Sequence, residues 1–336
     1  MVKHPLGKTG LLVSPLGMGT LTMGFSQMNL SVESGAAVIL RALKKGINFL
    51  DTAEYYDTYR YLRPALDQAR RDPDLAAPVI CSKSLAKDYA GMTRAVEDCL
   101  SALDLDQADL FLLHEVRGMP DFQTRAGAWQ ALRDLKASGK IKAIGISTHH
   151  VDAARAMAEE SACDAVFALC NRAGLGIRTC DGTVQDPHSP FLQDRPARRE
   201  EMESAIRLLA AQGIGVFTMK AFGGGNLITD YRACLDYACS IPGNCSVMVG
   251  LGTADEVDTA ADYLSGRLDP AYVPDTSGKR MKVDQSDCEG CGTCVARCTS
   301  HAIHWNDHGL AEIDPSKCVH CGYCAPVCPV RAIIFQ

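Results

Sequence analysis

From residue 15 to about 265 the chain alternates between short apolar runs and longer stretches whose apolar residues recur every three or four positions. The short runs predict strands at 15–19, 48–51, 79–82, 110–114, 143–147, 165–170, 215–219 and 246–250. The longer stretches predict helices at 34–45, 59–71, 92–103, 124–138, 151–160, 200–212, 227–240 and 254–264, since a stripe at that spacing buries one helical face. Glycine stops follow Lys45, Ser138 and Gln212, where helix C-termini favour them. Eight strand–helix units in series imply an α/β fold, a (β/α)8 TIM barrel. A doubly wound sheet is the alternative, but no G-x-G-x-x-G follows the first strand.

Two segments break the alternation. Residues 171–199 are polar, rich in Gly, Pro and Arg, and follow the sixth strand. Connections this long are commonly functional, so the segment is expected to be a lid or a docking surface on the C-terminal face, with disorder as the alternative. Residues 269–282 contain Pro270, Pro274 and Ser277-Gly278 without periodicity and read as a linker. The expected organisation is a barrel over 1–268, a linker over 269–282 and a small α+β domain over 283–336.

Composition narrows the partners. The 336 residues exceed one barrel of about 250, which leaves room for an appended module. A net charge of −6 argues against nucleic acid or an anionic membrane as the main partner. No run approaches the ~20 apolar residues of a membrane helix, and the start MVKHPLGK has no apolar leader. A soluble, cytoplasmic protein is expected.

Eight of the sixteen cysteines form two runs of C-x2-C-x2-C-x3-C: Cys288, Cys291, Cys294, Cys298 and Cys318, Cys321, Cys324, Cys328. Zinc sites usually take two separated pairs of ligands, and disulfides need an oxidising compartment; neither explains three thiols at two-residue spacing, repeated. The runs resemble those of bacterial two-cluster ferredoxins, which hold two [4Fe–4S] clusters and lend the last cysteine of each run to the other cluster. The resemblance implies a ferredoxin-like two-cluster domain, with Cys288, Cys291, Cys294 and Cys328 on one cluster and Cys318, Cys321, Cys324 and Cys298 on the other. The remaining cysteines show no such spacing and are read as small core residues.

Ionisable groups collect at the predicted strand ends. Asp51 closes the second strand with Tyr56 five residues on, Lys83 closes the third and His114 the fourth. Each alone reads as a cap, a surface lysine or a core histidine. Together, at the end of a barrel where catalytic residues sit, they suggest proton transfer: Lys83 stabilising a Tyr56 phenolate, Asp51 pairing the lysine and His114 orienting a carbonyl oxygen.

The segments D-T-A-x-x-Y, S-K and L-L-H, with Gly17-Met18-Gly19-Thr20, Ile144-Gly145-Ile146-Ser147, the run 215–220 and Gly223-Gly224-Gly225, resemble the aldo-keto reductase family over residues 1 to about 265. That resemblance implies reduction of aldehydes and ketones with NAD(P)(H), Tyr56 being the general acid/base, Lys83 and Asp51 its tuning pair and His114 the residue that positions the carbonyl. It also implies nicotinamide-cofactor contacts from Gly19, Thr20, Ser147, Thr148, Asn171, Met219, Lys220 and Gly223. The family's carboxamide contacts are replaced here by Ser147-Thr148 and Phe167, and Asp255, Glu256 and Asp258 stand where a basic residue usually meets the adenosine phosphate. Three functions follow as alternatives. One is an oxidoreductase interconverting a carbonyl and an alcohol at Tyr56, with a tethered electron-transfer module. In the second, clusters feed the substrate directly without nicotinamide. The third is a non-catalytic electron carrier or docking subunit. The expected partners are a small carbonyl or alcohol substrate and a redox protein, ferredoxin or flavoprotein.

Overall fold

The computed structural model describes residues 2–75, 77–180, 194–319, 322–325, 327–330 and 332–336. Eight parallel strands close a barrel: β1 (Leu16–Gly19), β2 (Phe49–Asp51), β3 (Val79–Ser84), β4 (Ala108–Leu113), β5 (Ile141–Thr148), β6 (Ala165–Leu169), β7 (Gly215–Met219) and β8 (Asn244–Gly250). Around it lie α1 (Val32–Lys44), α2 (Tyr59–Ala69), α3 (Tyr89–Leu103), α4 (Ala126–Ala137), α5 (Val151–Ala156), α6 (Arg199–Ala211), α7 (Tyr231–Ser240) and α8 (Ala254–Leu264). The expected (β/α)8 architecture is therefore the one observed.

Alternation along the strands sorts the residues. Side chains two apart share a face, so Leu110 and Leu112 enter the barrel while Phe111 and Leu113 pack under the helices. The interior is filled by Phe49, Phe167 and Phe217, the last two stacked at 4.4 Å and Phe49 tilted against Phe217 at 4.9 Å. The same parity carries Asp51, two beyond Phe49, Lys83, two beyond Cys81, and His114, two beyond Leu112, to the top of that interior. Strand register sets them side by side, with Asp51 opposite Cys81 and Lys83 opposite Leu112.

Three features depart from the expected elements. A hairpin of His4–Pro5 and Leu12–Val13 closes the opposite end of the barrel with Leu6, Leu11 and Val13; its strands are too short to register as alternation. The expected helix at 124–138 is two, Met119–Thr124 and α4, broken at Arg125, whose buried side chain turns inward. The long connection begins and ends as a ribbon, Arg178–Cys180 paired with Asp194–Pro196, while its residues 181–193 lie outside the described residues.

The second unit is small. β9 (Met281–Val283) pairs antiparallel with β12 (Ile333–Phe335), and β10 (Ile303–Trp305) with β11 (Ala311–Ile313). Its core joins Met281, Val283, Ile303, Ala311, Ala332 and Ile333 to the cysteines. No helix among the described residues is long and apolar enough to cross a membrane.

The stacked aromatics should dominate barrel stability. Phe217→Ala is expected to cost about 3–5 kcal/mol, measured by denaturant unfolding followed through far-UV circular dichroism.

Candidate active site

The ends of β2, β3 and β4 carry the ionisable cluster. Lys83 is fully buried and its Nζ donates to Asp51 Oδ1 at 2.5 Å and to the Thr52 carbonyl at 2.7 Å. Burial pushes the Asp51 carboxyl up, and the Lys83 ammonium pulls it back. A buried pair of this kind is destabilising to break, because the surviving charge is left without its counterion.

Tyr56 arrives from a different local structure, the 3-10 turn Glu54–Tyr56, which stops at Asp57 in the left-handed region (φ 54°). The turn is pinned twice. Ser84 Oγ donates to Glu54 Oε2 at 2.5 Å, and Thr20, Thr52 and Thr58 form a buried hydroxyl chain beneath it, with links of 2.7 and 2.9 Å. Tyr56 Oη then lies 3.3 Å from His114 Nε2.

Lys83 Nζ sits over the Tyr56 ring, 5.0 Å from its centroid, and gives its hydrogen bonds to Asp51 and Thr52. Burial, with Tyr55 and Asp51 adding to it, holds the Tyr56 phenol well above its ordinary range. The phenol therefore stays protonated. Burial also drives His114 well below its ordinary value, helped by Lys83 and Arg125, so the imidazole is neutral. Its Nδ1 is buried without a hydrogen-bond partner. Arg125, missed in the sequence as an ordinary helical residue, ties the loops together by donating to the carbonyls of His114 at 2.8 Å and Ser84 at 3.0 Å.

The second unit is docked on this same mouth. Asp287, next to Cys288, is half-buried between two barrel groups: Tyr55 Oη donates to its Oδ1 at 3.2 Å, and Lys220 Nζ lies 3.4 Å from its Oδ2. Burial pushes the Asp287 carboxyl up to about 6 against the pull of Lys220. Gln27 Nε2 donates to Asp284 Oδ2 at 3.0 Å, and Arg117 pairs with Glu289. The Tyr55 ring in turn lies 4.9 Å from Tyr56 and 5.2 Å from His114.

The loop after β7, among those where such barrels commonly bind phosphate, is covered by this chain itself. Phe335 N donates to the Gly224 carbonyl at 2.9 Å, and Asn226 Nδ2 to the Ile333 carbonyl at 3.2 Å. Gly225 sits at φ 87°, and a Cβ there would collide with the Phe335 carbonyl. Tyr272 packs edge-on against Tyr231 at 5.5 Å, and Lys279 Nζ lies 3.7 Å from Glu256 at the start of α8.

The residues expected to contact nicotinamide are largely engaged within the protein. Asn171 exchanges both carboxamide bonds with the Leu175 backbone, Thr148 Oγ1 donates to the Val116 carbonyl, and Ser147 Oγ accepts from Glu115 N. Thr20 bonds the Asp51 carbonyl, and Lys220 faces Asp287. Gly19 and Met219 end β1 and β7, and Gly223 packs between Leu175 and Leu227. Asp258, expected as part of an acidic patch, is paired with Arg41 and Lys45.

The cysteines suit two cubanes. Cys328, Cys291 and Cys288 lie close enough to Cys294 to help burial raise its thiol to about 12. Cys298, Cys318 and Cys324 line a separate cavity, and Cys321 lies outside the described residues. No group of three or more potential ligands among the described residues is tight enough for a single ion, whereas a cubane needs its thiolates spread around four irons. Ala302, Ala311 and Ala332 already aim backbone N–H groups at Cys298, Cys288 and Cys328, at 3.2–3.4 Å.

An aldo/keto reductase family model matches residues 15–233. The chain belongs to the aldo/keto reductase family. A 4Fe–4S dicluster domain model matches residues 287–332. Among curated relatives, an L-galactose dehydrogenase of Arabidopsis thaliana is 28% identical over 149 residues, covering 42% of this chain and 47% of its own. The methylglyoxal reductase DkgA of Yersinia pestis is 29% identical over 163 residues, covering 48% and 55%. The chain thus spans about half the length of these relatives. A solved aldo-keto reductase from Pseudomonas aeruginosa is similar at 27% identity and a TM-score of 0.60, over 78% of this chain and 95% of the other. An aldo-keto reductase from Bacillus halodurans, solved in its holo form, shares the fold at 19% identity, a TM-score of 0.60, and 82% and 98% coverage.

His114 makes stability depend on pH. Its folded value lies below the ordinary 6.5, so its contribution is fully present above that value and is lost as pH falls below it, where the unfolded chain gains a proton that the folded chain refuses. Denaturation between pH 7 and 5 should show this loss, and His114→Asn should shrink it.

Proposed function

We propose that this iron–sulfur oxidoreductase interconverts a small carbonyl and its alcohol at Tyr56 and His114, using electrons supplied by the docked module. The single observation that carries this reading is the Asp287 contact: the residue beside Cys288 bonds Tyr55, whose ring packs against Tyr56 and His114. Clusters held by the two cysteine runs would supply one electron each. The Tyr56 phenol gives its proton to the carbonyl oxygen, and the neutral His114 Nε2–H orients that oxygen. Lys83 and Asp51 form a neutral buried pair under the tyrosine ring and keep the floor of the site from drifting. A solvent proton completes the C–H bond, so two electrons and two protons convert one carbonyl to one alcohol.

The cover of the loop after β7 by Ile333–Phe335 supports a reaction without nicotinamide. A second reading, hydride transfer from NAD(P)H at the same tyrosine, is favoured by family membership.

Anaerobic turnover of a carbonyl panel, including methylglyoxal, separates the two. A low-potential one-electron donor should support reduction without NADH or NADPH, and Tyr56→Phe should lower the rate by about 10²–10⁴-fold while leaving iron and sulfide content unchanged. Turnover that needs NADH or NADPH would leave the hydride reading standing.

A further inference from the structure

The second unit carries an internal repeat at thirty-residue spacing. Val283-Asp284-Gln285-Ser286-Asp287-Cys288 corresponds to Ile313-Asp314-Pro315-Ser316-Lys317-Cys318. The two halves fold alike. Asp284 Oδ1 accepts from Ser286 N and Oγ at 3.1 and 2.6 Å, and Asp314 Oδ1 from Ser316 N and Oγ at 2.9 and 2.6 Å. Cys298 and Cys328 accept from Ala302 N and Ala332 N at 3.3 and 3.2 Å.

They part where one half meets the barrel. Asp287 corresponds to Lys317 and Glu289 to Val319. Lys317 is exposed and pairs with Asp314 at 3.1 Å, and Val319 is 68% exposed. The cysteine loop therefore folds with either sign of charge before its first cysteine. What requires a carboxylate at 287 is its surroundings on the barrel, Lys220 and Tyr55. Lys220 is itself held in the left-handed region (φ 57°), a conformation that an ordinary lysine avoids and that the surrounding structure must sustain.

We propose that Lys220, Asp287 and Tyr55 form a fixed bridge that seats the inner half of the module (Cys288, Cys291, Cys294, Cys328) against Tyr56 and His114 and sets the electrostatics of that half. Lys220 and Tyr55 are positioning residues: they act through Asp287. This rests on the cluster-fed reading for its purpose, but not for its measurement. The bridge pairs a half-buried carboxylate one residue from a cluster ligand with a cation, and neighbouring charge and hydrogen bonding are among the factors that set cluster potentials. Removing Lys220 takes one positive charge from beside that half, and less positive surroundings disfavour an added electron.

The test is an EPR-monitored redox titration of the full, cluster-loaded protein. Lys220→Met should move one cluster to a more negative potential and leave the other in place, and Lys220→Arg should restore it. Tyr55→Phe should move the same cluster in the same direction, and carries the test if Lys220→Met does not load clusters. Lys317→Glu, on the outward loop, should move the other cluster instead. Unchanged potentials in both bridge variants, or equal shifts of both clusters, would overturn the bridge. The titration needs no substrate, so a finding that NADPH drives turnover would sink the cluster-fed reading while leaving the bridge intact.

Discussion

The half-buried Asp287 carboxylate at the barrel mouth is paired from the barrel side, by the Lys220 ammonium and the Tyr55 hydroxyl. That constraint fixes where the small unit can sit. An uncompensated buried charge costs several kcal/mol, so undocking must expose Asp287, Lys220 and Arg117 to water together. Glu289 on Arg117 and Asp284 on Gln27 extend the same match of an acidic loop with polar and basic groups. The cysteine runs therefore lie beside the residues that can move protons.

The site beneath is held by buried contacts. Lys83 is committed to Asp51, Tyr56 is buried and protonated, and His114 is neutral. A barrel that expects hydride from outside needs an open groove for its carrier. Here the loop after β7 meets Phe335, Tyr272 packs on Tyr231, and Asn171 and Thr148 are bonded to their own backbone surroundings. These arrangements point the same way as the Asp287 contact.

Much of the fold was legible because it rests on local periodicity. Period-two alternation fixes the inward face of each strand, and it takes Asp51, Lys83 and His114 to one end of the barrel without any knowledge of contacts. The cysteine spacing was legible for the same reason, being a property of a short loop. What escaped was long-range or hidden in ordinary residue types. Tyr55 and Asp287 are 232 positions apart, and no pattern in either neighbourhood announces the other. Arg125 reads as a solvated helical arginine until the helix breaks and turns it inward. The placement of Lys83 also escaped: its ammonium lies over the Tyr56 ring and bonds Asp51 and Thr52. One signal was available and unread, the acidic Asp287 and Glu289 at positions where the other half of the repeat has Lys317 and Val319.

The central claim, that electrons from the module reach the carbonyl site within one chain, is tested most directly by a single turnover. Protein with both clusters reduced, freed of its reductant and of any nicotinamide, is mixed anaerobically with a carbonyl panel and freeze-quenched. The account predicts that the clusters reoxidise, with one alcohol formed for every two electrons lost. Clusters that stay reduced with every carbonyl, while added NADH or NADPH alone yields alcohol, would contradict it.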